Sequence, residues 1–379
     1  MPAPSAGAVS HTLTQADFVA AIADAGTSTN GITCDDTDFS CVLEAGDYTL
    51  GGNINLAKAT LGTTEDYSLY FSTGSTSLDL GGKSLTMGDF STSIIGGDAP
   101  NKTVSIKNGT LSGVLLPAYG NITLSGLDFN GVIGAALATV NITSGTYTSD
   151  NALSVIMSGG GGGTYNISGG TFKTTGDGIP VINMNNGDAD NANTLNITGG
   201  TFTANGVAID LSNEPGFAEG PVVLNISGGT FTGTSGGLQV IVPSLNTVNL
   251  TGGTFTATGT GDGVGAIVTF DGLTSSISGF LGAGYEYTND EILVKSLGFG
   301  GDIAYIAGTT TVQAVGSGSE EEAATSEDAA TGESVGTPDS GALTTKSNGD
   351  ASASGFVAVM VASLIATGVY FATRKKSEA

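Results

Sequence analysis

One short stretch of the chain brings together side chains that could bind a metal. The run NNGDADNAN at 185–193 places Asp188, Asp190 and Asn193 in a single loop. Hard oxygen ligands this close together are the kind that Ca²⁺ prefers. The stretch also fits a plain polar turn, and Ala192 stands where an EF-hand-like loop would need an oxygen ligand. Calcium is therefore a candidate beside the simpler turn, and no other metal or cofactor is expected.

The two cysteines of the chain, Cys34 and Cys41, are seven positions apart in an acidic segment. Two thiols without a nearby histidine make a poor zinc site. The C-terminal segment of the chain indicates an extracellular location, and there a disulfide that closes a short loop is the favoured interpretation.

Asparagines recur at one position of a repeated motif. Each of them begins an Asn-x-Ser/Thr sequence, and they are Asn141, Asn166, Asn196, Asn225 and Asn249. In a eukaryotic secretory protein such sequences suggest glycosylation. The preferred interpretation is an outer ladder, in which the amides stack and hydrogen-bond along an axis and the Ser or Thr is simply the next outward residue.

A second polar set has the pattern Thr-x-Thr. It comprises Thr146 and Thr148, Thr201 and Thr203, Thr230 and Thr232, and Thr254 and Thr256. Flat threonine arrays with regular spacing occur on ice-binding solenoids, so ice binding is an alternative function. Threonine is also an ordinary strand residue, and Asp128, Asn130 and Lys173 interrupt the array.

Both polar sets belong to a repeat whose clearest copy is LNITGGTFTANG at 195–206, with close copies at 140, 165, 224 and 248. In LNIT apolar and polar residues alternate, which is the period of a strand with one buried face. The paired glycines permit a bend, and the alternation resumes around Phe202. Each unit is predicted to be strand, bend, strand, turn and connection.

Alignment of the copies predicts two inward files of apolar residues. Because the spacing varies between 18 and 30 residues while the strand core does not, one coil of a parallel β-solenoid fits better than a propeller blade or a helical repeat. A single coil cannot cover its own apolar face, which explains the repetition. The first file is Ile106, Leu124, Ile142, Ile167, Ile197, Ile226, Leu250 and Ile277, and the second is Leu111, Phe129, Tyr147, Phe172, Phe202, Phe231, Phe255 and Phe280.

The runs LDLGGKSLTMGD at 78–89 and KTVSIKNGTLSG at 102–113, with the NISGGTFT copies, resemble the right-handed parallel β-helix superfamily of pectate-lyase-like folds. The likeness is to repeat-built bacterial surface proteins of that superfamily. It implies an all-β protein with a single-stranded right-handed parallel β-helix over 31–315. A short helical cap is expected within 1–30, in TQADFVAAIADAG at 14–26. Because this architecture hosts lyases, hydrolases, adhesins and stalks, the resemblance leaves the function open.

The catalytic residues of the enzymes in that superfamily are not matched. Its lyases generally use a basic residue with calcium-binding acids, and its hydrolases use carboxylates assisted by histidine. The only arginine here is Arg374 and the only histidine is His11, both outside the repeats. No catalytic site is expected, although two suitably separated carboxylates would suffice for a glycosidase. The scattered lysines are Lys58, Lys83, Lys102, Lys107, Lys173 and Lys295, and the tyrosines that could stack on a sugar are Tyr67, Tyr70, Tyr119, Tyr285 and Tyr287.

The composition changes at the C-terminal end. Residues 316–355 are rich in acids and almost free of large apolar residues, which predicts a flexible linker. Residues 356–373 are uncharged and mostly apolar, and eighteen helical residues span about 27 Å, enough for a hydrocarbon core. The basic residues of the tail 374–379 place it in the cytoplasm and the repeats outside, and they are Arg374, Lys375 and Lys376.

The two termini raise questions of export and attachment. The tail resembles Gram-positive cell-wall sorting signals, but TPDSG at 337–341 departs from their Leu-Pro-x-Thr-Gly motif, so membrane retention is predicted and wall attachment is the alternative. The first fifteen residues have neither a basic start nor an apolar run, and we expect the true start to lie upstream.

The sequence as a whole predicts a cell-surface-anchored structural or adhesive protein. A formal net charge of −25 repels nucleic acid, so no nucleic-acid partner is expected. The predicted partners are the membrane, through the C-terminal helix, and host or cell-surface glycans or proteins. The alternative function is an extracellular polysaccharide-binding or polysaccharide-degrading protein.

Overall fold

The computed structural model describes residues 10–72, 74–88, 94–97, 102–149, 153–158, 161–185, 188, 190–211, 220–241, 244–261, 263–296 and 302–316. Strands dominate these residues, and helix is confined to short segments. The helices are α1 (Gln15–Ala23), α2 (Lys58–Leu61) and α3 (Thr274–Gly279).

The strands follow one another at short intervals along the chain. They are β1 (Ser10–Leu13), β2 (Ile32–Asp35), β3 (Ser40–Leu43), β4 (Gly46–Leu50), β5 (Ile54–Asn55), β6 (Ser68–Phe71), β7 (Gly74–Asp79), β8 (Ser84–Thr86), β9 (Ile94–Gly97), β10 (Lys102–Pro117), β11 (Gly120–Ile133), β12 (Ala138–Ile142), β13 (Gly145–Ser149), β14 (Ile156–Ser158), β15 (Thr164–Ile167), β16 (Thr171–Asp177), β17 (Ile182–Met184), β18 (Asn193–Ile197), β19 (Thr201–Asn205), β20 (Val207–Leu211), β21 (Val222–Ile226), β22 (Thr230–Gly233), β23 (Gly236–Val240), β24 (Thr247–Leu250), β25 (Thr254–Ala257), β26 (Gly265–Thr269), β27 (Tyr285–Tyr287), β28 (Ile292–Ser296), β29 (Asp302–Ile306) and β30 (Thr309–Ala314).

Most strands pair in parallel with the strand three places later, so three parallel faces form. The first face is β1, β4, β7, the start of β10, the start of β11, β12, β15, β18, β21 and β24. The second is β5, β8, the middle of β10 and of β11, β13, β16, β19, β22 and β25. The third is β3, β6, β9, the ends of β10 and β11, β14, β17, β20, β23 and β26. The chain therefore runs in stacked coils with one strand on each face, which is compatible with the predicted solenoid.

Aromatic rings on the second face form a continuous stack in the core. Neighbouring ring centroids are 4.7–4.9 Å apart and the ring planes differ by 7–14°. All these side chains are fully buried, and such pairs stabilise a fold by about 0.5–1.5 kcal/mol beyond area burial. The stack follows the predicted file, and it comprises Tyr147, Phe172, Phe202, Phe231 and Phe255.

Two further files complete the core. On the first face the register aligns the predicted residues Ile106, Leu124, Ile142, Ile167, Ile197, Ile226 and Leu250. On the third face it aligns Ile133, Ile156, Ile182, Ile209, Leu238 and Ile267, all buried. The sequence predicts a connection for this third part of each unit, whereas the structure has a paired strand there. Its runs are short and apolar without alternation, so the period of a strand is absent from them.

The paired glycines of the repeat have separate roles at the bend between the first and second faces. A side chain on Gly199 would lie 2.7 Å from the carbonyl oxygen of Ser168 in the preceding coil. Gly200 has φ +108°, a conformation that other residues rarely adopt. The first glycine therefore permits close packing of coils, and the second permits the bend.

The C-terminal end differs from the prediction, because the eighth expected copy is not a coil. Ser276 and Ile277 lie in α3, and Phe280 directly follows it. The Asp271 carboxylate accepts hydrogen bonds from the Leu273 backbone N–H and the Ser276 hydroxyl, which hold the start of the helix. Strands β29 and β30 then pair antiparallel with β26 and β25 and cover the last coil.

The N-terminal end is closed by α1 and by the antiparallel pair of β2 and β3. The Asp17 carboxylate accepts hydrogen bonds from the backbone N–H and the hydroxyl of Thr14, which fixes the helix start. Phe18 and Ala21 are buried against the core. The disulfide predicted between Cys34 and Cys41 is confirmed, and it joins directly opposed residues of the strand pair.

The predicted membrane segment is not part of what the structure describes. In the described ranges, no helix has the length and apolar character needed to cross a bilayer. The span 356–373 and the basic residues Arg374, Lys375 and Lys376 lie outside those ranges, as does the predicted linker beyond Gly316.

We predict that Phe202→Ser lowers the free energy of unfolding by about 3–5 kcal/mol, because it opens a cavity between two neighbouring rings. The measurement is urea-induced unfolding followed by circular dichroism. Thr203→Ala, which changes the outward neighbour on the same strand, is the control and should change the free energy by less than about 0.5 kcal/mol. Equal losses in the two variants would mean that the assignment of inward and outward residues is wrong.

Candidate functional surfaces

An asparagine ladder follows the outer side of the first face. Each amide nitrogen donates to the amide oxygen of the preceding coil, at 2.9 Å from Asn166 to Asn141, 2.8 Å from Asn196 to Asn166 and 2.8 Å from Asn225 to Asn196. Asn141 in turn donates to Asn121 at 2.5 Å. The register thus stacks side chains that the sequence repeat had placed at one position.

The two ends of the ladder differ from its middle. Asn249 pairs in register with Asn225, but within the described residues no ladder hydrogen bond joins them. Asn121 was not assigned to the predicted file, because alignment of the copies places Thr123 opposite Asn141, as the register does. The ladder continues diagonally to Asn121, and its Asn-x-Thr sequence was the available signal.

A row of hydroxyl groups runs beside the ladder. The side chains of Thr143, Ser168 and Thr198 donate to backbone carbonyls of the preceding coil over 3.4–3.5 Å. Amides and hydroxyls, together with Ile167, line a shallow groove that is open to solvent. The groove is uncharged, and its groups retain free hydrogen-bonding capacity toward solvent because each amide has a second N–H and each oxygen a second lone pair. It can therefore take up neutral polar groups, repeated coil by coil.

A threonine face covers the outside of the second face. The register forms one file from Thr146, Thr171, Thr201, Thr230 and Thr254, and a second from Thr148, Lys173, Thr203, Thr232 and Thr256. Asp128 and Asn130 precede the two files on β11. The interruptions predicted from the sequence are thus confined to one end and to Lys173.

The C-terminal cap extends the threonine face in a way that repeat analysis missed. Strand β30 runs antiparallel to β25, yet Thr311 lies opposite Thr254 and Thr309 opposite Thr256. The hydroxyls of each pair are 3.1 Å apart. The sequence TTT at 309–311 was the only signal, and it lies outside any copy of the repeat.

Two of the three side chains of the calcium candidate, Asp188 and Asn193, take part in hydrogen bonds. Asp188 accepts hydrogen bonds from the Asn191 side chain and from the backbone N–H of Asp190, which lower the pKa of its carboxyl. Asn193 is buried on β18, and its side-chain oxygen accepts the Gly163 backbone N–H at 2.9 Å. The Asp188 oxygens thus accept hydrogen bonds within the turn, and the Asn193 oxygen accepts one from the preceding coil. Across the described ranges, no group of three or more His, Cys, Asp or Glu side chains could hold a metal ion.

The remaining candidates for chemistry are dispersed. His11 stacks on Tyr48 near the N-terminal end, and its ring bonds to the Asn30 side chain at 2.7 Å. Of the tyrosines considered for sugar stacking, Tyr67 and Tyr287 are buried. Lys107 pairs with Asp79 at 3.7 Å, while Lys102 is buried in the core.

Apart from that of Asp188, the displaced pKa values among the described residues belong to the core and the caps. Burial raises the pKa of Tyr165 to about 12, and burial together with the Glu44 charge raises that of Tyr48 to about 12. For Asp271, hydrogen bonds from Ser276, Thr269 and the Leu273 backbone outweigh burial and lower the pKa. Perturbed groups at a catalytic site cluster in a cleft, whereas these groups are spread along the coils.

Comparisons with known proteins returned no match: no family model, curated protein or solved structure corresponds to this chain.

We predict that Asn196→Ala lowers the free energy of unfolding by about 1 kcal/mol or less, because water in the open groove can replace the two lost ladder bonds. Asn196→Asp is the sharper test. An ionised carboxylate still accepts from Asn225 but faces the Asn166 oxygen, so this variant should be the less stable of the two at pH 7.

At pH 3 the protonated carboxyl of Asn196→Asp can donate to Asn166, and its deficit relative to wild type should shrink. The measurement is urea-induced unfolding of both variants and the wild type at the two pH values. A deficit that is the same at pH 3 and pH 7 would show that the amides do not bond along the ladder.

Proposed function

We propose that the chain is a right-handed parallel β-helical rod, anchored at the cell surface, that serves as a structural or adhesive protein. Three parallel faces with one core file each support the β-helix. The observation that carries the function is the repetition outside the core. Asn recurs in register on every first-face strand from β12 to β24, and Thr recurs on every second-face strand from β13 to β25. Packing of the core does not require either residue.

A repeated exterior suits adhesion because identical weak contacts add along the rod. Once one coil is bound, the next meets its partner at high effective concentration, so many weak contacts give firm attachment. The uncharged groove and the threonine face supply such contacts on a chain of net charge −25. The expected partners are host or cell-surface glycans or proteins.

The proposed location rests on the sequence outside the described ranges and on the disulfide. The apolar residues 356–373 followed by Arg374, Lys375 and Lys376 fit a membrane anchor with the coils outside. A disulfide such as Cys34–Cys41 is favoured in oxidising compartments. The acidic linker would hold the rod away from the membrane, and wall attachment remains the alternative mode of anchorage.

The second candidate function is binding or degradation of an extracellular polysaccharide. The groove beside the asparagine ladder favours it, since amides and hydroxyls bond to sugar hydroxyls. Degradation would further require two acids at a separation of about 5–9.5 Å beside the bound sugar.

We predict that the purified chain does not cleave pectin, alginate or neutral glucans, measured as released reducing ends. The only histidine, His11, is bonded to Asn30 and stacked on Tyr48 at the cap, and the only arginine is Arg374. A commercial pectate lyase is the positive control. Turnover that a single Asp or Lys substitution abolishes would replace the non-enzymatic proposal.

We predict that protease added to intact cells releases one resistant fragment that contains all the coils and ends between about 316 and 355. Hydrogen-bonded strands resist cleavage, whereas an exposed linker is cut readily. The measurement is mass spectrometry of the supernatant, and lysed cells serve as the control. Release only after lysis would place the coils in the cytoplasm and contradict a surface role.

A further inference from the structure

The threonine face repeats in two directions, which a role as a rod does not require. Along a strand the two threonines of Thr-x-Thr are about 6.6 Å apart, and neighbouring coils are about 4.8 Å apart. The pairings that carry Thr201, Thr230 and Thr254 are unbroken and in register. The face is therefore a small two-dimensional lattice of hydroxyl and methyl groups.

The lattice is maintained where the chain reverses direction. Strand β30 belongs to the cap and runs antiparallel, yet it places Thr309 and Thr311 in the two files. Repetition of a coil motif cannot account for these residues, because β30 is not a copy of the repeat. Threonine therefore occupies this surface even on a strand that is not a copy of the repeat.

Threonine on such a face is already ordered before it binds. Its branched Cβ restricts χ1, and strands β13, β16, β19, β22 and β25 are each paired on both sides. Because little side-chain entropy remains to be lost, contacts with a ligand that is itself ordered cost little on association. We therefore expect an array of this kind to bind a crystalline surface more readily than a flexible molecule.

The charge and composition of the face reduce the number of ligand classes that it could bind. The whole chain has a net charge of −25, but from Thr146 onward the described members of the two files include one charged residue, Lys173. Like charge opposes a second copy of the chain, and a face with a single charged side chain does not attract the ions of a mineral surface. The files carry no aromatic ring to stack on the sugars of a crystalline polysaccharide.

We propose that the threonine face binds the surface of ice. Its hydroxyls and ordered waters bonded to them would join the lattice of water molecules, and the contacts of successive coils would act together. This goes beyond the proposed surface role, because it supplies a ligand that is neither a glycan nor a protein.

The test measures inhibition of ice recrystallisation by the purified full-length chain, with the detergent buffer as blank. Thr201→Tyr places a bulky ring in the middle of the face and should reduce the activity about tenfold, since contacts on both sides are lost together. The matched control is Thr194→Tyr, which changes an outward threonine of the first face, in register with Thr164. It should retain the wild-type activity, and circular dichroism shows that both variants fold.

The lattice also predicts a gain of activity. Lys173→Thr repairs the interrupted file between Thr148 and Thr203 and should inhibit recrystallisation at a severalfold lower concentration than the wild type. Wild-type activity no greater than the blank, or equal losses in Thr201→Tyr and Thr194→Tyr, would overturn the proposal. So would sedimentation with cellulose or chitin powder without any effect on ice.

Discussion

The rings of Tyr147, Phe172, Phe202, Phe231 and Phe255 lie almost parallel at 4.7–4.9 Å, which is also the separation of hydrogen-bonded strands. Backbone pairing and ring stacking therefore have the same optimal distance, so both can form without distortion of the other. A ring stacks well only on a ring at the same height of the next coil, so every coil must reproduce the residue and its position. The sequence repeats because every coil needs the same residue at the same position.

The same constraint acts on the polar exterior and on the bends. An asparagine can bond along the axis only if another stands directly above it, as Asn166 and Asn196 do. Coils can approach to strand distance at the bend only where no side chain intervenes, and Gly199 meets that need. Core, exterior and bend are thus different consequences of one fixed distance between coils.

Much of this arrangement could be predicted from the sequence, because alternation shows which residues face inward. The files through Ile197 and Phe202, the asparagine ladder and the Cys34–Cys41 disulfide all follow from local pattern. The third face did not, since every residue of VAIDL at 207–211 except Asp210 is buried, so the run lacks a clear alternation. Ser276, Ile277 and Phe280 were misassigned because a helix held by Asp271 imitates the apolar spacing of a coil. The threonines of β30 were missed because only the tertiary pairing places them on the face.

Caps at both ends give the stack a definite number of coils. Strands β29 and β30 pair with the edges of β26 and β25, which opposes strand pairing with another molecule on the second and third faces. Insertion or loss of one coil, with its register intact, would change the height by about 4.8 Å and alter little else. Duplication of a repeat in the gene can therefore change the distance between the two caps in uniform steps. Neither cap has to change its sequence for this to happen.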